Sequence, residues 1–201
     1  MWPLYVSQLA SAAEVHPLAG ALDETMARRA LYRAIAWPNV LLDAKDAFFA
    51  VDRSLYEAEV PKALRSGCVC VVDPTWPGLA ALDPEARSRC LVPKDGETPL
   101  LAYRRLASFL RSRFDFPVIA VAGSNGKTTT KDMIAHVLGA TRRVTATPGT
   151  NNGWVGVPIT LCHPAHIASL PEASKNGACV LEIGIDEKGA MREHVRVAAP
   201  D

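Results

Sequence analysis

The clearest structural pattern in the second half of the chain is FPVIAVAGSNGKTTTKDMIAHVLG, residues Phe116–Gly139. Its opening, FPVIAVAG, predicts a buried strand. TTKDMIAHVLG predicts a helix that carries Met133, Ile134, Val137 and Leu138 on one apolar face and stops at Gly139. A turn rich in glycine, lysine and threonine separates the two elements. This order of strand, glycine-rich turn and helix is the layout of a phosphate-binding loop.

Each residue type in the turn suits phosphate chemistry. Glycines such as Gly123 and Gly126 let backbone amides approach phosphate oxygens. The helix that begins near Thr128 directs its N-terminal amides and its dipole toward an anion. Lys127 can neutralise the β- and γ-phosphates, and the Thr128 hydroxyl can ligate magnesium. The spacing is the shorter G-x-x-G-K-T, since Val121 stands where the longer standard pattern has a glycine.

The remaining segments predict an α/β chain in two parts. DAFFAVD (Asp46–Asp52) and CVCVVDP (Cys68–Pro74) each predict a buried strand, and a predicted helix between them favours parallel pairing. Helical spacing also occurs around Met26–Ile35. We therefore expect a small N-terminal α/β domain over residues 1–112. Residues 113–201 should then form the first part of a parallel-sheet, phosphate-loop ATPase domain.

Bulk composition argues against several classes of function. The net charge of +1 does not support a sequence-independent hold on nucleic acid or on an anionic membrane. No apolar run is long enough to span a bilayer, and Glu14 and Pro17 interrupt the apolar N-terminal stretch, so we predict no signal peptide. The 5 cysteines include no C-x-x-C pair, which predicts buried, reduced thiols in a cytoplasmic protein.

Three segments in the same order resemble the Mur ligases, the family that builds the peptide of bacterial cell-wall (peptidoglycan) precursors. GSNGKTTTKDM (Gly123–Met133) resembles their ATP-binding loop. TPGTNNGWVGVPITL (Thr147–Leu161) resembles the Asn-Asn and Gly-Val-Pro segment of the branch that joins D-alanyl-D-alanine to UDP-N-acetylmuramoyl-tripeptide. VLEIGIDEKGAM (Val180–Met191) resembles the strand that carries the family's magnesium-binding glutamate.

The resemblance implies a cytoplasmic, ATP-dependent amide-bond ligase that acts through an acyl phosphate. By resemblance, Lys127 and Glu182 are the catalytic residues, and Thr128 and Glu182 hold Mg2+. The implied ATP-binding residues are Gly123, Ser124, Asn125, Gly126, Lys127, Thr128, Thr129, Asn151 and Asn152. The implied partners are ATP and small peptide and nucleotide-sugar substrates, with no nucleic acid and no membrane.

Several of these assignments have structural alternatives. Glu182 lies at a predicted strand end, where it could form an ion pair instead of binding a metal. Asn151 and Asn152 could be turn residues that follow a Pro-Gly pair, and Thr129 could simply cap the helix. The sequence leaves both interpretations open at each position.

The histidines give no metal-site pattern. His163 and His166 have no further ligand at a suitable spacing nearby, so we predict loop histidines. His194 stands among charged residues, which predicts a solvated side chain on an exposed helix face.

The chain departs from the family pattern in three places. The N-terminal domain of these ligases usually carries an Asp-Ser-Arg-like signature that contacts the uridine-nucleotide sugar, and this chain has Asp43-Ala44-Lys45 there. Gly189-Ala190 stands where the family often has Gly-Glu. The sequence ends at Asp201, partway through a typical ATPase domain. We therefore expect a piece of a longer ligase, inactive alone, with the rest of the ligase as its partner.

Two other functions stay open. Folylpolyglutamate and cyanophycin synthetases share the ATP loop, so the same chemistry could join a different carboxylate and amine. The Gly-Lys-Thr run fits folate ligases poorly, because theirs resembles Gly-Lys-Gly-Ser. A non-catalytic nucleotide-binding module is the third hypothesis, and it predicts magnesium-ATP binding without turnover.

Overall fold

A computed structural model describes residues 3–36, 41–162, 176–185 and 187–201. The described chain divides into two compact units, one over Pro3–Leu106 and one over Ala107–Asp201. Each unit contains a sheet with parallel strand pairs and packed helices, which confirms the predicted α/β class. The domain boundary after residue 112 stays a prediction.

The first unit is built on the sheet β2-β7-β6-β5-β4, in which β4 to β7 are parallel and β2 is an antiparallel edge strand. The short strands β1 and β3 form a separate antiparallel pair. In chain order the elements are β1 (Leu4–Tyr5), α1 (Val6–Ala13), β2 (Val15–Pro17), α2 (Glu24–Ala27), β3 (Ala30–Leu31), β4 (Arg33–Ile35), β5 (Asp46–Phe49), α3 (Tyr56–Arg65), β6 (Val69–Val71), α4 (Pro84–Ser88), β7 (Cys90–Pro93) and α5 (Pro99–Arg111), with 3-10 turns at Arg53–Leu55 and Pro77–Ala81. The residues of α5 after Leu106 belong to the second unit.

The predicted strand–helix–strand unit is confirmed, because β5 and β6 flank α3 and pair in parallel. The predicted helix around Met26–Ile35 is wrong over most of its length. Asp23 caps only the short helix α2, and the chain then enters β3 and β4, where Leu31 and Ala34 are buried. A short apolar run is compatible with both helical and strand periodicity, and here pairing with β5 stabilises the strand.

The second unit has a parallel sheet in the order β8-β10-β9. Its elements are β8 (Val118–Val121), α6 (Lys127–Gly139), β9 (Arg143–Ala146), α7 (Gly156–Cys162), β10 (Gly177–Glu182) and α8 (Ala190–Ala198). The carboxyl ends of parallel strands meet at one edge of a sheet, which is where ligands bind in open α/β folds. The segments after Val121, after Ala146 and at Glu182 therefore come together at one edge.

The predicted burial of β8 and of the apolar face of α6 is wrong in part. Strand β8 lies at an edge of the described sheet, and its residues after Val118 are only half-buried. Met133 is 65% exposed and Val137 is 70% exposed. The reason is that α6 turns its other side, with Lys131, toward β9 and β10. Among the described residues, nothing covers the stripe of Met133 and Val137.

The cysteines behave as predicted, since all five are buried and none is in a disulfide. Burial raises the pKa of Cys179 to about 12, so this thiol stays protonated and unreactive near neutral pH. Within the described ranges, no helix combines the length and the apolar character that crossing a membrane requires.

Candidate nucleotide-binding site

The turn between β8 and α6 presents a helix N-terminus to solvent. Gly126 has φ of 73°, in the left-handed region that glycine adopts at little cost, and α6 starts at the next residue. The first backbone amides of a helix have no intrahelical acceptor. The amide of Thr130 already bonds back to the Gly126 carbonyl at 2.9 Å. The amides just before it, together with the helix dipole, therefore offer binding groups for an anion.

Lys127 lies over the same turn. Its Nζ donates to the Gly123 carbonyl oxygen at 2.9 Å. This contact holds the ammonium on the open side of the loop, beside the helix N-terminus. When a phosphate binds, Lys127 can therefore exchange this neutral acceptor for charged phosphate oxygens without a large movement of its side chain.

A cavity of about 380 Å³ lies over the turn. Its lining residues are Ser124, Asn125, Gly126, Lys127, Thr128, Thr129, Thr150, Asn152 and Glu182. Most of the predicted site residues are thus brought together around one space. Gly123 joins them through Lys127, whereas Asn151 is exposed and does not line the cavity. Thr150 was not predicted, because a threonine after Pro-Gly has no distinguishing signal in sequence.

Glu182 is the acidic centre of the site. It ends β10 and is only 1% exposed. Its Oε2 accepts from Thr128 Oγ1 at 2.8 Å, and its Oε1 accepts from Asn152 Nδ2 at 2.7 Å. Across the described part of the chain, no lysine, arginine or histidine forms an ion pair with it. The structural ion pair that the sequence left open therefore gains no support there.

The two asparagines have different surroundings. The Asn152 side chain reaches Glu182, and the Asn152 backbone carbonyl accepts from the Gly184 amide at 2.8 Å. Asn151 contributes its backbone, since a Cβ atom added at Gly156 would lie 2.0 Å from the Asn151 carbonyl oxygen. Only glycine permits this approach, so the Gly-Val-Pro string fixes where the Asn-Asn turn lies.

The donor set at Glu182 fits magnesium. Among the described residues, no group of three or more His, Cys, Asp or Glu side chains could hold a metal. Magnesium needs no such cage, because it is commonly held by one or two carboxylates together with substrate phosphates and water. Thr128 and Glu182 supply one hydroxyl and one carboxylate beside the open helix terminus. A buried carboxylate without a cationic partner is costly, and a bound cation offsets that cost.

The solvated state predicted for His194 is wrong. The residue is 0% exposed, and its ring packs on Trp154 with centroids 5.0 Å apart. Helix α8 buries His194 together with Ala190, Val197 and Ala198, whereas its two arginines are exposed. His163 and His166 lie outside the described residues.

In the first unit, the turn at the position of the uridine signature is held by the chain's own arginines. Asp46 is 0% exposed, and its Oδ1 and Oδ2 accept from Arg33 at 2.7 and 2.6 Å. This hydrogen bond raises the pKa of Arg33. Arg29 donates to the Ala44 carbonyl, and the Lys45 ammonium lies 5.5 Å from the Tyr32 ring centroid. Hydrogen bonds from Arg29 and Arg33 thus hold the turn in place.

Comparison with known proteins identifies relatives of this site. Residues 121–201 match the family model described as the Mur ligase middle domain. The UDP-N-acetylmuramoyl-tripeptide–D-alanyl-D-alanine ligase of Bacillus subtilis (strain 168) is 36% identical over 142 residues, which cover 71% of this chain and 28% of that protein. The protein of the same name from Synechocystis sp. is 36% identical over 137 residues, which cover 66% of this chain and 28% of that protein. The resemblance inferred from the three motifs is therefore confirmed.

A solved structure shows the same fold. The UDP-N-acetylmuramoylalanyl-D-glutamyl-2,6-diaminopimelate–D-alanyl-D-alanyl ligase from Acinetobacter baumannii superposes with a TM-score of 0.73 at 24% identity. The match covers 98% of this chain and 40% of that one. The chain spans about 28% of the length of the two curated relatives named above.

Proposed function

We propose that residues 121–201, which match the Mur ligase middle-domain model, carry the ATP-phosphate and magnesium site of an ATP-dependent amide ligase. The observation that carries this proposal is the junction of Thr128, Asn152 and Glu182 beside the free helix N-terminus. Phosphoryl transfer depends mainly on positioning and charge neutralisation, and these residues supply both.

Each group of the site has a part in binding the nucleotide. The turn from Gly123 to Gly126 and the first amides of α6 bind the phosphate oxygens, and Lys127 leaves the Gly123 carbonyl to neutralise them. Thr128 and Glu182 would hold magnesium, which when bound neutralises charge on the phosphates. Asn152 keeps the Glu182 carboxylate in place through its amide.

The proposed reaction forms an amide through an acyl phosphate. An oxygen of the substrate carboxylate attacks the γ-phosphorus of ATP, and ADP leaves. The amine nitrogen then attacks the acyl carbon, loses a proton, and releases phosphate. The substrates that we propose are UDP-N-acetylmuramoyl-tripeptide and D-alanyl-D-alanine, and the names of the relatives support them. Since the chain spans a minority of those relatives, we propose that the remaining part of such a ligase completes the reaction.

The turn at Asp43–Asp46 favours a second candidate, a ligase of the same chemistry with different substrates. The turn lacks the serine and arginine of the uridine signature, and Arg33 occupies the Asp46 carboxylate. ATP turnover by the complete protein separates the candidates. If the first candidate is right, ADP is released with UDP-muramoyl-tripeptide and D-alanyl-D-alanine. If the second is right, ADP is released with other substrates, such as a glutamyl acceptor.

We also propose a cytoplasmic location. The five buried cysteines, none of them in a disulfide, support it, because thiols persist in a reducing compartment. It is also where ATP and nucleotide-sugar substrates would be available to the ligase.

Calorimetric titration of the 201-residue chain with Mg·ADP tests the nucleotide site. We expect saturable binding, and we expect Lys127→Ala to weaken it by about 10- to 100-fold, since hydrogen bonds to charged groups contribute about 1.5–3 kcal/mol. Lys62→Ala is the matched control, because it removes a lysine whose side chain is 58% exposed in the first unit. Equal binding by wild type and Lys127→Ala would contradict the proposal.

A further inference from the structure

Lys131 is a buried charge that phosphate binding does not use. It lies one helical turn after Lys127 on α6, and its side chain is 3% exposed. Lysine is rarely buried to this extent unless its ammonium has partners. The acid within reach is the adjacent Asp132, with Nζ and Oδ1 3.0 Å apart, and the Asp132 side chain is 64% exposed. An exposed neighbour does not account for the burial of the ammonium.

The other partners of Lys131 are two backbone carbonyls. Its Nζ donates to the Thr147 oxygen at 2.8 Å and to the Gly149 oxygen at 3.2 Å. Both carbonyls belong to the loop that leads from the end of β9 into the Asn-Asn turn. An ammonium has three donors, so it can bind both carbonyls and the Asp132 carboxylate together. The lysine therefore fixes the start of this loop at two points.

The same loop reaches Glu182 by two paths. The Thr147 hydroxyl accepts from the Glu182 backbone amide at 2.9 Å, and the Thr147 amide donates to the Val180 carbonyl at 3.0 Å. At the other end of the loop, Asn152 Nδ2 donates to Glu182 Oε1 at 2.7 Å. The loop thus holds both the backbone and the carboxylate of the residue that faces Thr128.

We propose that Lys131 is a positioning residue of the metal site. Its ammonium fixes the loop Thr147–Asn152, and the loop in turn orients the Glu182 carboxylate toward the magnesium ion. The magnesium part of this inference rests on the proposed function, whereas the loop part does not. Groups that orient a metal ligand from behind typically change metal affinity by about 10- to 100-fold when they are removed.

The test uses the whole 201-residue chain and two variants that cut the path at different places. Lys131→Met keeps the length of the side chain and removes the ammonium. Thr147→Val keeps the shape and removes the hydroxyl that accepts from Glu182, and it keeps the test decisive if Lys131→Met fails to fold. Lys62→Met removes an exposed lysine in the first unit and is the matched control.

Two readouts are measured on each variant. Hydrogen–deuterium exchange without ligand follows the amides of Thr147–Asn152 and the amide of Glu182. Titration with ADP, in Mn2+ and separately in EDTA, follows metal-dependent and metal-free binding. For Lys131→Met we expect exchange in the loop to be faster by about tenfold or more, because a charge-assisted hydrogen bond is lost.

We also expect Lys131→Met to bind Mn·ADP about 10- to 100-fold more weakly, with unchanged affinity for ADP in EDTA. Thr147→Val should weaken Mn·ADP binding in the same way as Lys131→Met. The double variant should lose no more affinity than the more affected single variant, because both residues act on one path. Lys62→Met should match wild type.

Three results would overturn the inference. Unchanged exchange in the loop would show that Lys131 does not fix it. An equal loss of ADP affinity in Mn2+ and in EDTA would show that the lysine acts on nucleotide binding in general, or on stability alone. A wild-type chain that binds no Mn·ADP would refute the proposed function and the magnesium part together, and the exchange data would still report separately on the loop.

Discussion

Glu182→Gln should make the free protein more stable while abolishing its response to magnesium. The carboxylate is 1% exposed, and its two oxygens accept one hydrogen bond each. Glutamine has the same shape and can keep both contacts, since its oxygen accepts from Asn152 and its amide donates to Thr128 Oγ1. The substitution therefore removes one buried negative charge and changes little else.

The magnitude follows from two opposing terms. Burial of an ion that no charge compensates costs several kcal/mol after relaxation. The nearby N-terminus of α6 offsets at most about 2 kcal/mol of this cost. We therefore expect the free energy of unfolding to rise by about 1–3 kcal/mol. For a chain of this size, each kcal/mol raises the melting temperature by about 2–4 °C.

The assay is thermal unfolding in EDTA, repeated with ADP and with Mg·ADP. Wild type should gain more stability from Mg·ADP than from ADP in EDTA, because a ligand that binds only the folded state stabilises it. Glu182→Gln should show no difference between the two. Glu187→Gln removes an exposed carboxylate of the same unit and should stay within about 0.5 kcal/mol of wild type. A Glu182→Gln protein that is less stable than wild type, or that keeps the magnesium-dependent gain, would contradict the expected effect of the buried charge.

Two further predictions concern the Asn-Asn turn and the first unit. Gly156→Ala should cost about 1–3 kcal/mol in urea unfolding and weaken Mg·ADP binding, since its Cβ would lie 2.0 Å from the Asn151 oxygen. Gly139→Ala, where a Cβ meets nothing within 4 Å, is the control, and equal behaviour of the two would refute the clash. In the first unit, the hydrogen bond from Arg105 lowers the pKa of Glu97 below its ordinary value of 4.5. Its stabilising effect should therefore be present above pH 4.5 and fade as the pH falls through the lowered pKa. The difference in urea midpoint between wild type and Glu97→Gln should shrink on acidification, and a difference that does not depend on pH would contradict this.

The parts of the fold that the sequence predicts well are those with a local signal. The strand–turn–helix from Val118 to Gly139 is specified by an apolar run, by Gly126 with its positive φ, and by helical periodicity, so its elements are where the pattern predicts them. The same periodicity fails at Met133 and Val137, because an apolar stripe does not say whether another part of the protein covers it.

The sequence predicts those site residues whose chemistry coincides with a motif. It does not reveal residues whose contacts are with backbone atoms. Thr128 and Glu182 are far apart in the sequence, yet their side chains are hydrogen-bonded to each other. In the sequence, only the order of the motifs suggests that these two residues meet. Lys131 gives no such signal, since a lysine in a helix is normally solvated and its carbonyl partners have no signature in sequence. His194 misleads for the related reason that its neighbours in sequence are charged, whereas in space its ring packs on Trp154.

A crystal structure of this chain with Mg·ADP would show the proposed nucleotide site directly. We expect phosphate oxygens against the turn Gly123–Gly126 and the first amides of α6, with Lys127 released from the Gly123 carbonyl. We also expect a magnesium ion held by Thr128 and Glu182, whose side chains now share a direct hydrogen bond of 2.8 Å. Nucleotide bound elsewhere, or a cation that does not contact Glu182, would contradict the proposed site.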